Sequence, residues 1–376
     1  MSNIILKTCE SVCAGHPDKI CDQISDAILD ACLATDPNSR VAAECLIKDE
    51  NLIIAGEITT SASPDYAAIA KQTLKEIGYT DKEINSFKIQ ILVSQQSPDI
   101  AQGVDTGGAG DQGMMYGYAT SETVENIPLP LLLSHQLCFR LAEMRRIDPA
   151  CPLRPDGKAQ VTVSYENGQP LFADAIVVST QHVPEISAHD LEEYVFESVI
   201  KPVCGKWLKI GPMINPHLGG TQLSATKIYI NPTGRFEVGG PFGDCGLTGR
   251  KIVVDTYGGI GRVGGGCFSG KDPSKVDRSA AYMARYLAKK LVFLGYGEEI
   301  EVRLAYAIGV AQPVDVSVSI LRGDKSREKE SVQYILDNFD LTPQGIIKTL
   351  DLRRPIYLST AAYGHFGRPE FSWEKV

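Results

Sequence analysis

A histidine, an aspartate and a lysine stand within four positions of one another in Gly15-His16-Pro17-Asp18-Lys19. Directly after them, Ile20, Ile24, Ala27, Ile28 and Ala31 recur at helical spacing. At a helix start such a trio could serve a phosphate leaving group and its metal, because first-turn amides and the helix dipole favour anions there. The same residues also make an ordinary cap, since proline belongs in a helix's first turn. A second candidate runs from Gly258 to Asp277. Gly259, Gly261 and Gly264 fit G-x-G-x-x-G, but further glycines displace the helix that should open inside a dinucleotide motif. Gly265 to Gly270-Lys271 has Walker A spacing, but Asp272 stands where a Ser or Thr hydroxyl must ligate magnesium. Both motifs share a physics that survives: glycines let backbone amides approach phosphate oxygens, and Lys271 and Lys275 supply positive charge beside them. The alternative to this polyphosphate cradle is a flexible loop, with Ser274 and Asp277 forming a capping box for a helix over 277–292.

Two more segments are rich in functional groups. Gly108-Ala109-Gly110-Asp111-Gln112-Gly113 sets a carboxylate among glycines, and Thr360 to Arg368 gathers Tyr363, His365, Phe366 and Arg368. A lone His365 reads as a structural histidine more readily than as a catalyst.

Positioning these groups falls to strands followed by amphipathic helices, a pattern met three times. Val41 to Ile58 forms two apolar stretches about Lys48 to Asn51, and a helix follows over Pro64 to Ile77. Ala159, Val161, Val163 and Tyr165 alternate up to Asn167-Gly168, a hairpin signal, with a helix expected from His189 to Ile200. Val302 to Ile320 alternates again before a helix over Ser326 to Phe339. The order of elements implies an α+β fold of three similar strand-strand-helix units, with antiparallel or mixed sheets carrying helices on one face. Lys251 to Thr256 reads as a strand, and linkers are expected at Asp99 to Gly113 and Cys204 to Gly220.

The 376 residues correspond to about 2.5 domains. With 43% hydrophobic and 22% charged residues, the chain is of ordinary globular composition. Apolar runs such as 129–133 and 291–294 are far too short to span a membrane, and the N-terminus shows no targeting signal. Ten cysteines at scattered spacings point to reduced thiols in a cytoplasmic protein and to no zinc motif. A net charge of -9 disfavours nucleic-acid and anionic-membrane partners. Arg235 to Arg285, however, holds eight Lys/Arg against five Asp/Glu, a local +3 where an anion would bind.

Taken as a set, the motifs resemble those of the S-adenosylmethionine synthetase (methionine adenosyltransferase) family. The stretches that carry the resemblance are Gly15-His-Pro-Asp-Lys-Ile, Gly56-Glu-Ile-Thr-Thr-Ser, Gln96-Ser-Pro-Asp-Ile, Gly108-Ala-Gly-Asp-Gln-Gly, Gly239-Gly-Pro through Gly246-Leu-Thr-Gly-Arg-Lys, Gly264-Gly-Gly-Cys-Phe-Ser-Gly-Lys-Asp and the C-terminal Ala-Ala-Tyr-Gly-His-Phe-Gly-Arg. The resemblance implies a pseudo-threefold axis relating units at 1–101, 108–230 and 231–376. It also implies sulfur attack of L-methionine on C5′ of ATP, followed by cleavage of the triphosphate to pyrophosphate and phosphate. Magnesium, two ions per site, and potassium are the implied cofactors, and a homodimer with shared active sites, pairing into a dimer of dimers, is the implied assembly.

Carried over by position, the resemblance makes His16, Lys158, Arg250, Lys271 and Lys275 catalytic, with His16 beside the departing oxygen. ATP falls to His16, Asp156, Lys158, Arg235, Phe236, Asp244, Arg250, Lys251, Lys271 and Ile308, with Phe236 under the adenine. Methionine falls to Glu57, Gln96, Asp111, Asp244 and Lys275; Asp18 and Asp277 are the implied magnesium ligands and Glu44 the potassium ligand. Departures from the family pattern are Ala14 in place of Glu, Cys267 in place of Ala, a short gate between Asp99 and Gly108, and an insertion over Ile210 to Gln222. A nucleotide-binding regulatory protein that kept the cradle without turnover is the competing reading.

Overall fold

The computed structural model describes residues 4–95, 107–209 and 226–376. The first part of the chain forms β1 (Ile4–Val12), α1 (Pro17–Thr35), β2 (Arg40–Lys48), β3 (Asn51–Thr59), α2 (Tyr66–Ile77), α3 (Asp81–Ser86) and β4 (Lys88–Ser94). The middle forms β5 (Gly113–Thr120), α4 (Leu129–Ile147), β6 (Leu153–Glu166), β7 (Gln169–His182), α5 (Ala188–Val195), α6 (Lys201–Cys204) and β8 (Lys227–Ile230). The last part forms β9 (Gly246–Leu247), α7 (Ile252–Asp255), α8 (Val276–Phe293), β10 (Glu299–Tyr306), β11 (Asp315–Arg322), α9 (Glu328–Asn338) and α10 (Pro343–Leu350).

Among the described residues three sheets result, ordered β1-β6-β7-β8, β11-β10-β5 and β4-β3-β2-β9. Pairing is antiparallel except for β3 with β4 and β7 with β8, so the fold is α+β with antiparallel and mixed sheets, as the element order implies. A long helix packs on each sheet: α4 on β1 and β6, α8 on β5 and β10, and α1 on β2 and β9. Each part of the chain also lends a strand elsewhere. β1 pairs with β6 from Ile4↔Glu166 to Val12↔Lys158, β5 pairs with β10, and β9 closes on β2 at Leu46↔Leu247. The three parts are interlocked by backbone hydrogen bonds. Their apolar side chains form two clusters, one running through the β2 and β10 sheets and one under the β6 sheet.

Local signals act as their chemistry dictates. Asn167 and Gly168 both adopt positive φ, 52° and 78°, which a two-residue hairpin between β6 and β7 requires. Other expectations need correction. Lys251 to Thr256 is not a strand: Ile252–Asp255 is the helical turn α7. The helix expected over 189–200 changes to a π-turn at Phe196–Ile200. Ser274 forms no capping box, because α8 starts without a side-chain cap and Asp277 is bonded to Lys271 instead. Gln96, most of the gate segment and the 210–222 insertion lie outside the described residues. All ten cysteines are unpaired. Among the described residues no helix is long and apolar enough to cross a membrane.

Two histidines are locked in the core without charge. His135 bonds the Ser11 hydroxyl through Nδ1 at 2.8 Å, and His365 bonds the Tyr282 hydroxyl at 2.7 Å, while neither Nε2 has a hydrogen-bond partner among the described residues. Burial, assisted by Arg368, holds His135 down to about 3; burial and Arg278 hold His365 well below the usual range. Unfolded histidine protonates near pH 6.5, so below that the unfolded chain binds protons that these rings refuse, and stability falls with pH. Urea unfolding should therefore show the wild type losing about 2 kcal/mol more between pH 7 and pH 5 than His135→Gln. Equal losses in the two proteins would contradict a neutral buried His135.

Candidate active site

β1 delivers the chain to the mouth of the β6 strand. Cys13 N donates to Gly157 O at 2.9 Å, and a Cβ on Gly15 would lie 2.4 Å from the Pro155 backbone, so the turn passes against β6 beside Asp156 and Lys158. His16 then caps α1: the Asp18 amide donates to its Nδ1 at 3.2 Å, with Pro17 in the first turn. A backbone amide can only donate, so the ring proton sits on Nε2. Burial, together with Lys251 and Lys158, pushes the His16 pKa down to about 3. His16 is thus both cap and neutral N–H donor, and the two readings of its motif are not exclusive. Lys19, the third member of that motif, points into the core, where it bonds Asp22 at 2.9 Å and Asp255 at 2.5 Å.

Asp18 accepts from Leu247 N at 3.0 Å and from Lys251 Nζ at 2.5 Å, with Arg250 Nε 3.9 Å away. Burial opposes its charge, but the Lys251 and Leu247 bonds outweigh this and hold the carboxyl below its usual range. The segment carrying Arg250 and Lys251 is tied down further. Thr248 exchanges bonds with Cys45 on β2, and Gly249 N donates to Asp22 at 2.8 Å.

The glycine-rich loop is no free surface loop. Gly270 O accepts from Ala43 N at 3.0 Å, Asp272 N donates to Val41 O at 3.1 Å, and Ala42 bridges Lys271, so the loop continues the sheet beside β2. Lys271 Nζ bonds Asp277 at 2.6 Å and Lys275 Nζ bonds Asp272 at 2.5 Å. Burial works against the Lys271 charge, but Cys267 and Asp277 raise its pKa on balance. A Cβ on Gly266 would lie 2.1 Å from the Asp277 carboxyl carbon, so only glycine leaves room for that carboxylate.

The matched residues fall into two groups. Around His16 stand Asp18, Arg250 and Lys251, with Lys158 and Asp244 close enough to act electrostatically on the ring. Asp156 accepts from Gly240 N at 2.8 Å, and Phe236 is held by mutual bonds with His182, while Arg235 projects into solvent beside Glu237. Around Lys271 stand Asp277, Cys267 and Glu44, the last an exposed residue of β2. Exposed Glu57 lies opposite Ala42, which itself bridges Lys271. Asp111 and Ile308 are both exposed and sit on turns joined by Ala109 and Gly309. Sequence reasoning missed Asp22 and Asp26, which touch the cationic loops from behind; their signal was an aspartate every fourth residue in α1.

The donor chemistry bears on metal binding. Among the described residues no group of three or more His, Cys, Asp or Glu could hold an ion alone. Asp18 and Asp277 are instead single carboxylates beside lysines. Magnesium commonly takes one or two carboxylates and completes its shell with phosphate oxygens and water, so these residues fit an ion that arrives with a polyphosphate.

Interlocked sheets carrying two anchored loops rich in lysine and arginine define the α+β protein. Family models match nearly the whole chain: the S-adenosylmethionine synthetase N-terminal domain matches residues 4–98, its central domain 106–236 and its C-terminal domain 238–375. The S-adenosylmethionine synthase of Treponema denticola is 52% identical over 382 residues, covering 98% of this chain and 95% of its own. That of Sorangium cellulosum is 51% identical over 381 residues, covering 98% and 87%. The chain belongs to the S-adenosylmethionine synthetase family.

The Gly266 contact gives a direct test. Gly266→Ala should push Asp277 off Lys271 and weaken calorimetric binding of inorganic tripolyphosphate with magnesium by about tenfold or more. Wild-type affinity in this variant would show that the loop does not shape the site.

Proposed function

We propose that the protein is a methionine adenosyltransferase, joining the sulfur of L-methionine to C5′ of ATP to give S-adenosyl-L-methionine and then hydrolysing the released triphosphate to pyrophosphate and phosphate. One observation supports this most: Arg250, Lys251, Lys271 and Lys275 sit on two loops whose backbones are anchored from behind, leaving the side chains to meet a ligand. A thioether is a soft, neutral nucleophile and needs no protein base. The difficulty lies at the leaving group, where negative charge grows on the triphosphate as a sulfonium forms. Lys158, Arg250, Lys251, Lys271 and Lys275 meet that charge, and His16 offers its neutral Nε2–H to the departing oxygen.

Asp156, Arg235, Phe236, Asp244 and Ile308 hold the nucleoside. Glu57, Gln96, Asp111 and Asp244 suit the methionine ammonium and the nascent sulfonium, with Lys275 beside them. Asp18 and Asp277 would hold two magnesium ions and Glu44 a potassium ion; bound magnesium supplies charge neutralisation on the phosphate oxygens. The three units at 1–101, 108–230 and 231–376 repeat about a pseudo-threefold axis. The working form is a cytoplasmic homodimer with shared active sites, and dimers pair into a tetramer.

Incubation with ATP, methionine, magnesium and potassium should yield S-adenosylmethionine, phosphate and pyrophosphate; ATP binding without the sulfonium product would contradict the proposal. Lys271→Ala should lower kcat about a hundredfold with little change in the KM for methionine, because its contact strengthens as the triphosphate leaves. A raised methionine KM at unchanged kcat would remove Lys271 from that role. If His16 and Lys271 of one site come from opposite subunits, refolding equal amounts of inactive His16→Asn and Lys271→Ala chains should restore about a quarter of wild-type activity. A correctly dimeric but inactive mixture would place both residues on the same side.

A further inference from the structure

α1 carries aspartates at 18, 22, 26 and 30, one for each turn, and three of them are fully buried or nearly so, against the usual fate of that residue. Each accepts backbone amides from a segment remote in sequence. Asp18 takes Leu247 N at 3.0 Å, Asp22 takes Gly249 N at 2.8 Å and Asp26 takes Gly270 N at 2.8 Å. Asp30 takes Tyr357 N and Leu358 N at 2.9 and 2.8 Å.

The middle pair repeats one arrangement. Gly249 and Gly270 both have positive φ, 79° and 81°, and each immediately precedes the cations of its loop: Arg250-Lys251 in one case, Lys271 in the other. A Cβ on Gly249 would lie 2.6 Å from Cys267, and one on Gly270 would lie 1.9 Å from Ala43 O. Asp26 also forms a two-pronged pair with Arg278, at 2.6 and 2.8 Å, and Arg278 Nη1 donates to Lys271 O at 3.1 Å. One buried ion pair therefore holds the Ser269–Gly270 peptide, one residue before Lys271, and the Lys271–Asp272 peptide directly after it. Asp22 is backed in the same way by Lys19 at 2.9 Å.

We propose that Asp22 and Asp26 are positioning residues: they fix the backbone from which Arg250, Lys251 and Lys271 reach the triphosphate, whereas Asp30, on the same helix, only pins the C-terminal segment. Asparagine at 22 or 26 retains size but cannot accept on both oxygens. Its amide nitrogen must face either a lysine or arginine cation or a glycine N–H, donor against donor. The loop backbone then shifts, and displacement of about 1 Å at a reacting centre is enough to cost about a hundredfold in rate.

The inference rests on the adenosyltransferase reading for its rate assay alone. Asp22→Asn and Asp26→Asn should each lower kcat about 10- to 100-fold per folded molecule, with the methionine KM nearly unchanged. Asp30→Asn should lower the melting temperature while keeping kcat near wild type. Equal kcat in all three variants, or losses that track melting temperature alone, would overturn the proposal. Hydrogen exchange of the wild type serves where a variant does not fold, and also if the wild type forms no S-adenosylmethionine. Peptides spanning 246–251 and 268–272 should exchange as slowly as α1, and exchange at the rate of an open loop would overturn the anchoring irrespective of the reaction.

Discussion

The rest of the structure depends on a constraint on α1: a helix buried along most of its length must satisfy charged side chains that face inward. Asp22 and Asp26 are fully buried, as are Lys19 and Arg278. A buried charge survives only when paired and hydrogen-bonded, and removing one partner of such a pair costs about 3–5 kcal/mol. Besides Lys19 on α1 itself, the partners of Asp22 and Asp26 come from the loops of the site and from α8, so folding of the core also fixes the backbones that carry the cations. Desolvation, which makes these groups costly, also makes their geometry exclusive.

The sheet topology serves the same end. Because β1 belongs to the sheet of β6, the chain emerges from it at Val12 opposite Lys158 and enters α1 through His16. Because β9 belongs to the sheet of β2, Leu247 to Lys251 passes over the N-terminal turns of α1. Lys251 and Lys271 rest on Asp18 and Asp277, carboxylates of the kind that would take magnesium. Arrival of a metal-bound polyphosphate would give each lysine a phosphate oxygen and each carboxylate a metal, an exchange of partners that leaves no buried charge alone.

What could be read from the sequence was whatever local chemistry decides. The Asn167-Gly168 turn, the helix start at Pro17 and the three strand-helix patterns needed only propensity and spacing. The run Ile252-Val253-Val254 misled because β-branched residues suggest a strand, whereas Lys251 is held by Asp18 and the chain turns at once. Ser274 and Asp277 had capping-box spacing, but Lys271 claims the carboxylate. The strand exchange could not be read, since pairing between residues 4–12 and 158–166 leaves no local mark. The aspartates of α1 were visible as a spacing, but only the burial of that face distinguishes anchors from a solvated stripe.

The central claim is that the loop backbones stay fixed while their lysines change partners. The most direct test is a crystal structure with magnesium and a non-hydrolysable ATP analogue. The account predicts that Lys251 and Lys271 leave Asp18 and Asp277 for phosphate oxygens, while Gly249 N and Gly270 N remain on Asp22 and Asp26. Phosphates bound elsewhere, or glycine amides released from those aspartates on binding, would contradict it.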